Sequence, residues 1–495
     1  MNDTELVSYK LEQARIRGYF RTVDLFAGCG GMSLGFDRAG FRPIAAVEVN
    51  DFARQSHEAN FSGKADEGYR SFSDIRSVEP ADVVSHAKDL FESPETVADV
   101  VIGGPPCQAF SRLGRAALWR LAGKDYAHGE DERASYYLDY LHYVAALKPI
   151  AFVMENVREI GKFTGRNIAE EIAVTASDMG YEVRYALLNA VWFGVPQLRE
   201  RMFIIGIRKE LGVVPTFPSI KHKYDLPVGY STSRAGNGHN EVLEPRDHFV
   251  DHFQRSSKLL PAVSLSDAFE DLPPITHHLD GRKGKGAPRD LHKKFDYVCE
   301  GNAFTKSMKQ WPGFESKEGF YGHVIRYTPR DYETFRRMPA GGMYPDALKV
   351  AEEIFEEKLK SLESQLGKKI EKGSEDWERL RKETVPPYRG DRYPNKFRKL
   401  WPDHPSRTLP AHIGKDSYSH IHFDSEQARG ISLREAARIQ SFPDGFKLVG
   451  SMNVQLTQIG NAVPPLLAYA VASNLSSVLG KAKVKKQEEQ ETELG

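Results

Sequence analysis

The chain has 495 residues, 40% of them hydrophobic, enough for two or three domains with ample core at roughly 100–200 residues per domain. Lysine plus arginine equal aspartate plus glutamate at 68 each, so net charge gives no sign of a polyanionic partner and any nucleic-acid surface must come from local clustering. Three cysteines, Cys29, Cys107 and Cys299, exclude a disulfide framework and offer no paired metal-ligand spacing, so no metal is expected.

Residues 1–18 read as a charged, helical lead-in. They lack the apolar centre of a signal peptide, and no later apolar run reaches the roughly 18 residues of a membrane helix, so a cytoplasmic protein with no membrane contact is expected. Residues 22–26 alternate into a strand, a glycine loop follows, and residues 32–39 have the spacing of a helix opening. Strand, glycine-rich turn and helix form a nucleotide-cofactor context, in which backbone N–H groups at a helix start meet the ligand. Glu48, at the end of a second apolar strand over 43–49, is placed to accept from both ribose hydroxyls; as a solvated strand-end charge it would do nothing. Asp74 follows a third strand in the same way.

The apolar residues 98–102 predict a short buried strand that stops sharply at Gly103-Gly104-Pro105-Pro106-Cys107-Gln108-Ala109-Phe110-Ser111. Cys107 therefore sits on a stiff loop at a strand's carboxyl end, where ligands bind in open α/β sheets. These residues alone allow either a nucleophile or one more buried, inert thiol. Residues 135–147 have helical spacing, and a strand over 150–154 ends at Glu155-Asn156. A carboxyl group buried there has a raised pKa and can hold or donate a proton near neutral pH. A helix over 168–179 and strands over 181–189 and 202–207 follow, with Arg199 and Arg201 between the strands. Two arginines two apart on an extended segment point the same way, which suits one polar target or a surface ion-pair network.

After residue 208 the composition shifts to Pro, Gly, His, Ser and Lys, and strand alternation is hard to follow up to about residue 405. The basic, glycine-rich residues 281–286, with Arg289, Lys293 and Lys294, could follow a phosphate backbone or be a solvated loop. Residues 347–383 predict an amphipathic helix or a hairpin broken near Gly373, with Phe355, Leu359, Leu362, Leu366 and Ile370 as its stripe, packed on its own domain. Residues 434–440 predict a helix. A last apolar helix over 466–479 is expected to pack on the first domain's sheet, which makes that domain discontinuous, and no internal repeats are visible.

The loop around Cys107 resembles the nucleophile loop of the DNA cytosine-5 methyltransferases, and the family's other blocks follow in its order. Asp24-Leu25-Phe26-Ala27-Gly28-Cys29-Gly30-Gly31 resembles its methyl-donor loop, and Glu48 and Asp74-Ile75 fall at its next two acidic positions. Glu155-Asn156-Val157, Gln197-Leu198-Arg199-Glu200-Arg201, Arg407-Thr408-Leu409 and Gly460-Asn461-Ala462-Val463-Pro464-Pro465 complete the series. The match covers residues 20–208 and 388–480 and leaves the middle unmatched, as in the bacterial restriction-modification enzymes. Residues 323–326 through 338–342 also look like a segment near the recognition region of some members.

The resemblance implies an α/β fold: a Rossmann-like S-adenosylmethionine-dependent methyltransferase domain with a mixed, mostly parallel sheet, plus a second, irregular target-recognition domain. Residues 1–208 would begin the catalytic and cofactor-binding domain and 209–425 would form the recognition domain with its helical insert. Residues 426–480 would add a hinge and the C-terminal helix, and 481–495 a disordered tail. S-adenosyl-L-methionine would be held by Phe26, Gly28, Cys29, Gly30, Glu48, Val49, Asp74, Ile75, Pro106, Asn461 and Val463, with Asp74 on the adenine amino group.

Carbon 5 of cytosine is a poor nucleophile, and thiolate addition at carbon 6 overcomes this by making an enamine-like intermediate. The resemblance gives Cys107 that addition, Glu155 a bond to ring nitrogen 3 and the exocyclic amine, and Arg201 a contact to the carbonyl at position 2. Arg199 would sit beside them. A base inside a duplex must first be flipped out, and Gln108 and Ser111 would hold the flipped strand. The expected partners are double-stranded DNA and a cognate restriction endonuclease acting separately, and the expected state is a monomer. The alternatives are an RNA cytosine-5 methyltransferase, against which the long middle region argues, and a non-enzymatic DNA-binding regulator, which needs none of Cys107, Glu155, Arg199 and Arg201. A nicotinamide-dependent oxidoreductase would account for Gly28, Gly30 and Gly31 alone.

Overall fold

The computed structural model describes residues 1–64, 68–85, 93–106, 136–163, 165–226, 242–251, 253–280, 290–388, 396–415 and 418–484. Cys107, Gln108, Ser111, the basic residues 281–286 with Arg289, and the end of the chain from 485 lie outside them.

The core is a seven-stranded sheet, in chain order β1 (Phe20–Leu25), β2 (Phe41–Val47), β3 (Arg70–Phe72), β4 (Val100–Gly103), β5 (Ala151–Asn156), β6 (Tyr181–Asn189) and β7 (Glu200–Arg208), arranged β3-β2-β1-β4-β5-β7-β6. β1 to β5 pair in parallel, and β7 runs antiparallel to both β5 and β6, so the sheet is mixed and mostly parallel, as expected. Central parallel strands are covered on both faces and therefore read as continuous apolar runs. In β4, Val101 joins one core with Tyr140, Leu141 and Val144 of the helix Tyr136–Leu147, while Val100 and Ile102 join the opposite one.

That opposite core is closed by the helix Pro465–Lys481, whose Leu467, Val471, Leu475 and Leu479 recur at four-residue spacing. The end of the chain thus covers the sheet that the beginning builds. The helices come close enough for backbone contact: a Cβ on Gly35 would stand 2.4 Å from the Tyr469 nitrogen. Among the described residues, Met452–Lys481 is long and apolar enough to cross a membrane, but it is mostly buried in the protein. A break at residues 462–464 also divides it into Met452–Asn461 and Pro465–Lys481.

The lead-in is the helix Asp3–Arg17, capped by Asn2 and ended by Gly18 at φ 77°. Its buried Lys10 donates to the carbonyls of Ala98, Leu147 and Lys148 at 2.7, 2.9 and 2.9 Å, clamping the helix below β4 and β5. Burial brings the Lys10 pKa down to about 7.

Beyond β7 the chain forms a small parallel pair, β8 (Ile220–Lys223) with β9 (Arg255–Pro261). Residues of 265–324, among them Leu265, Phe269, Met308, Trp311 and Val324, share one core with Leu433, Ala436, Ile439, Leu456 and Ile459, and with Leu34 and Phe61 of the first part. The insert is a hairpin, Tyr344–Leu366 and Glu375–Thr384, with Gly367 and Gly373 at φ 63° and 85° in its turn. Phe355 meets Trp377 edge-on at 5.3 Å, and Tyr344 and Ala347 enter a core with Phe335 and Phe397.

Candidate active site

A cavity of about 1000 Å³ opens at the carboxyl ends of β1, β2, β4 and β5, closed on one side by residues 408–415 and 453–463. Its lining includes Phe26, Gly28, Cys29, Glu48, Val49, Asp74, Ile75, Pro106, Glu155, Arg199, Arg201, Asn461 and Val463. A smaller cavity of about 370 Å³ by Trp192 and His222 holds none of the expected side chains.

The loop after β1 owes its shape to left-handed backbone at Phe26, Gly28 and Gly30, with φ 57°, 55° and 97°. Phe26 pays the steric cost that glycine avoids, and its ring packs edge-on against Tyr136 at 5.7 Å. Gly30 is not part of the lining; a Cβ there would strike Phe61 at 2.6 Å and His57 at 3.0 Å. Behind the loop, buried Asp24 accepts from Ser33 Oγ at 2.6 Å, His57 Nε2 lies 3.7 Å from the carboxylate, and Tyr69 bonds His57 Nδ1 at 2.7 Å.

Just past β2, Glu48 accepts from the backbone N–H of Gly28 and of Asn50, both at 2.8 Å. Burial pushes its carboxyl above the usual range against these bonds. Asp74 follows β3 and accepts from Arg76 N at 3.0 Å, and Ile75 behind it is buried. Cys29 is buried and its thiol is pushed up to about 12 by desolvation, so it lines the cavity as an inert group.

Glu155 ends β5 buried, its Oε1 2.8 Å from Arg201 Nε. Burial pushes its pKa up against the pull of Arg201 and Arg199, as the sequence predicted for a carboxyl at this place. Gly104 leaves room beside it: a Cβ there would lie 2.9 Å from Glu155 Oε2 and press the carboxylate aside. Asn156 Nδ2 donates to Pro105 O at 2.9 Å and ties β5 to the loop after β4.

The two arginines both act on the Glu155 charge, but their hydrogen bonds differ. Arg201 takes Glu155, whereas the buried Arg199 donates through Nη1 to Leu409 O at 3.0 Å and through Nη2 to Gly460 O at 2.9 Å. Gln197 belongs to the same junction: it donates to Gln440 Oε1 at 2.7 Å and accepts from Leu409 N at 2.8 Å. Among the described residues one isolated parallel bridge, Gln197 with Ser406, joins two of these segments by backbone, with Leu198 N donating to Ser406 O at 2.7 Å and Ser406 N to Pro196 O at 2.9 Å, and side chains make the other links.

Sequence reasoning gave no role to Asp24, Asn50 and Thr408, and did not expect the helix Met452–Asn461 that carries Asn461; all are part of the wall. Asp24 sat inside a quoted block as an ordinary strand residue, and the helix carries buried polar Gln455 and Gln458 where an apolar stripe would announce it. Among the described residues no group of three His, Cys, Asp or Glu could hold a metal ion.

Residues 20–477 match the family described as C-5 cytosine-specific DNA methylase. The chain is 34% identical over 453 residues, 91% of this chain and 94% of the other, to a protein of Oceanobacillus iheyensis named as a type II methyltransferase, M.OihORF3336P. It is 29% identical to the type II methyltransferase M.AgeI of Thalassovita gelatinovora, over 92% of this chain and 99% of that one. A crystal structure titled as a DNA modification methyltransferase from a prophage of E. coli superposes with a TM-score of 0.57 at 20% identity, covering 93% of this chain and all of that one, which shows the shared Rossmann-like fold. A sheet with a nucleotide-type loop, a buried Glu–Arg pair in the cavity and a match along nearly the whole chain lead to one assignment: the protein belongs to the C-5 cytosine-specific DNA methylase family and is a DNA cytosine methyltransferase.

Proposed function

We propose that the enzyme transfers a methyl group from S-adenosyl-L-methionine to carbon 5 of a cytosine flipped out of duplex DNA, through a covalent adduct with Cys107. The observation that carries the reading is the Glu155–Arg201 pair, buried in the same cavity as the glycine loop and Glu48. The cavity, about 1000 Å³, is at the upper end of the range for ligand pockets, about 300–1,000 Å³, which suits a nucleoside-sized donor beside a base.

The residues fit the donor. A Cβ at Gly28 would meet nothing within 4 Å, so the loop leaves open space for a ligand. Each Glu48 oxygen accepts one backbone N–H, and a carboxylate oxygen has a second lone pair, so two acceptor sites remain for ribose hydroxyls. Asp74, Ile75, Val49, Pro106, Asn461 and Val463 would border the rest of the donor, with Phe26 at its base. When bound, S-adenosylmethionine supplies an electrophilic methyl group.

The protein's own residues prepare the cytosine. Arg201, held by Glu155, is placed for the base carbonyl, and Glu155, with its raised pKa, for ring nitrogen 3 and the exocyclic amine. The Cys107 thiolate forms a bond to carbon 6, and the ring electrons pass to carbon 5, which would take the methyl group as its bond to the donor's sulfonium breaks and a neutral thioether leaves. Loss of the carbon 5 proton and expulsion of the thiolate then restore the ring and the enzyme. Gln108 and Ser111 hold the flipped strand, and much of residues 209–425 reads the sequence around it.

In the cell the enzyme would act as a cytoplasmic monomer that protects host DNA beside a separate cognate endonuclease; the names of its type II relatives support this role. The test is DNA carrying 5-fluorocytosine at the target, from which fluorine cannot leave as the proton does. Wild type should be trapped covalently, and Cys107→Ser should give no adduct while still binding the donor. An adduct formed by Cys107→Ser at the wild-type rate refutes the mechanism.

A further inference from the structure

The segment Arg407-Thr408-Leu409 enters the cavity wall through Thr408 and Leu409, and both are held by bonds to the strand-to-strand connection before β7. Thr408 Oγ1 donates to Leu198 O at 2.5 Å and Leu409 N to Gln197 Oε1 at 2.8 Å. The side chain of Arg407 has no such anchor. Its Nη1 is buried without a hydrogen-bond partner among the described residues. Burial and the like charge of Arg398, with no carboxylate among the described residues opposing them, bring its pKa down to about 10.

The two arginines meet around His420. Arg398 N donates to Tyr418 O at 2.9 Å and its carbonyl accepts from Ile421 N at 2.8 Å, while His420 Nε2 faces the Arg407 carbonyl at 3.5 Å. The imidazole cannot share the load as a cation or offer an anion: burial and the two guanidinium groups hold it neutral, down to about 3. Half-buried positive charge beside like charge is costly unless an anion completes it. An arginine fork is matched by a phosphate, whose oxygens would satisfy the orphaned N–H and oppose the charge at once.

We infer that Arg407 is the seat of a DNA backbone phosphate at the rim of the cavity, a positioning residue that registers the strand carrying the flipped cytosine, with Arg398 adding to the local positive potential. The inference rests on the reading of the cavity as the place where DNA presents its base. Thr408 and Leu409 then transmit the register directly to the wall beside Arg199 and Gln197.

The test uses the full-length protein with Arg407→Gln and Arg407→Lys, titrated with a short mixed-sequence duplex over a series of salt concentrations. For Arg407→Gln the slope of log affinity against log salt should flatten by about 0.9, the share of one phosphate contact. The KM for plasmid DNA should rise several-fold with kcat held, and the Tm without DNA should not fall. Arg407→Lys should keep the slope and bind more weakly than wild type, and it decides the question alone if the glutamine variant does not fold. Inorganic phosphate, compared with chloride at equal ionic strength, should compete with DNA better on wild type than on Arg407→Gln. An unchanged slope and KM overturn the inference, as does a lower Tm with an unchanged slope, which would make Arg407 structural. Phosphate that stabilises wild type without any effect of Arg407 on DNA affinity assigns the seat to a free anion and overturns it too. A wild type that methylates no DNA would instead refute the underlying reading.

Discussion

Arg199 offers the sharpest test of how the active-site wall is held. Its fork reaches Leu409 O at 3.0 Å and Gly460 O at 2.9 Å, joining positions 210 and 261 residues away in the chain. Methionine in its place fills much of the space and leaves both carbonyls without their donor. A hydrogen bond to a charged group contributes about 1.5–3 kcal/mol, so two give a loss of about 3–6 kcal/mol, toward the lower end once the loops relax. Against a total stability of about 5–15 kcal/mol this is a large fraction. Lysine keeps the charge but offers no planar fork, so Arg199→Lys should retain one bond and lose about half as much. Urea denaturation at neutral pH measures both, and donor binding should weaken in parallel because Gly460 precedes Asn461 in the cavity wall. A methionine variant with the wild-type urea midpoint refutes the tether.

Three further outcomes follow from the same geometry. Glu155→Gln should lower methyl transfer by about 10²–10⁴, the usual worth of a positioned proton-transfer group. Because burial raises the folded pKa of Glu155, its stability contribution is present below the unfolded value of about 4.3 and lost as pH rises through the folded one, so the Tm of Glu155→Gln relative to wild type should rise as pH increases above about 4.3; a relative Tm that falls with rising pH contradicts this. His323, His420 and His422 are held down by burial to about 4, 3 and 3. Each therefore contributes stability that is complete above the unfolded value of about 6.5 and is lost on acidification at about 1.4 kcal/mol per pH unit. The urea midpoint should fall steadily from pH 6.5 to 4.5, less so in His422→Gln, and a flat profile refutes the burial argument. Gly35→Ala would press a methyl group to 2.4 Å from Tyr469 N and 2.6 Å from Pro465 O, an overpacking that costs about 1–3 kcal/mol and should lower Tm; an unchanged Tm would mean that the two helices are not in backbone contact.

Legibility followed periodicity. β4 and β5 are buried on both faces, so their apolar runs announce them, and observed strand ends differ from the expected ones by only a few residues. β1 was expected over 22–26 and spans Phe20–Leu25, because Phe26 has turned to positive φ. Glu155 and Glu48 were readable as strand-end carboxyls, since strand ends carry ligands in this architecture. Arg199 was named as a site residue, but its bonds to 409 and 460 were not readable, because its acceptors are carbonyls of residues remote in sequence, and a carbonyl leaves no mark on side-chain identity. The helix Asp51–Phe61 was missed as well; its buried face includes polar Ser56, His57 and Asn60. Residues 265–324 gave no period for a different reason: their partners are in 431–462, so short segments bury themselves against distant chain.

The same remoteness explains why so much polar material is buried around the site. The cavity wall joins the start of the chain to its end, and these meet at backbone level: a Cβ on Gly31 would stand 2.4 Å from Val463 O. Irregular backbone buried in this way must find partners for its N–H and C=O groups. Arg199 serves 409 and 460, Gln197 serves 409 and 439, and Gln440 Nε2 serves Ile459 O at 2.7 Å and Ala462 O at 3.2 Å. The junction therefore lies between Glu155 and Arg201 on one side and Asn461 and Val463 on the other. Since one guanidinium holds both 409 and 460, and Gln197 bonded to Gln440 links 409 to 459 and 462, a displacement of one wall of the cavity is felt at the other through a few buried side chains.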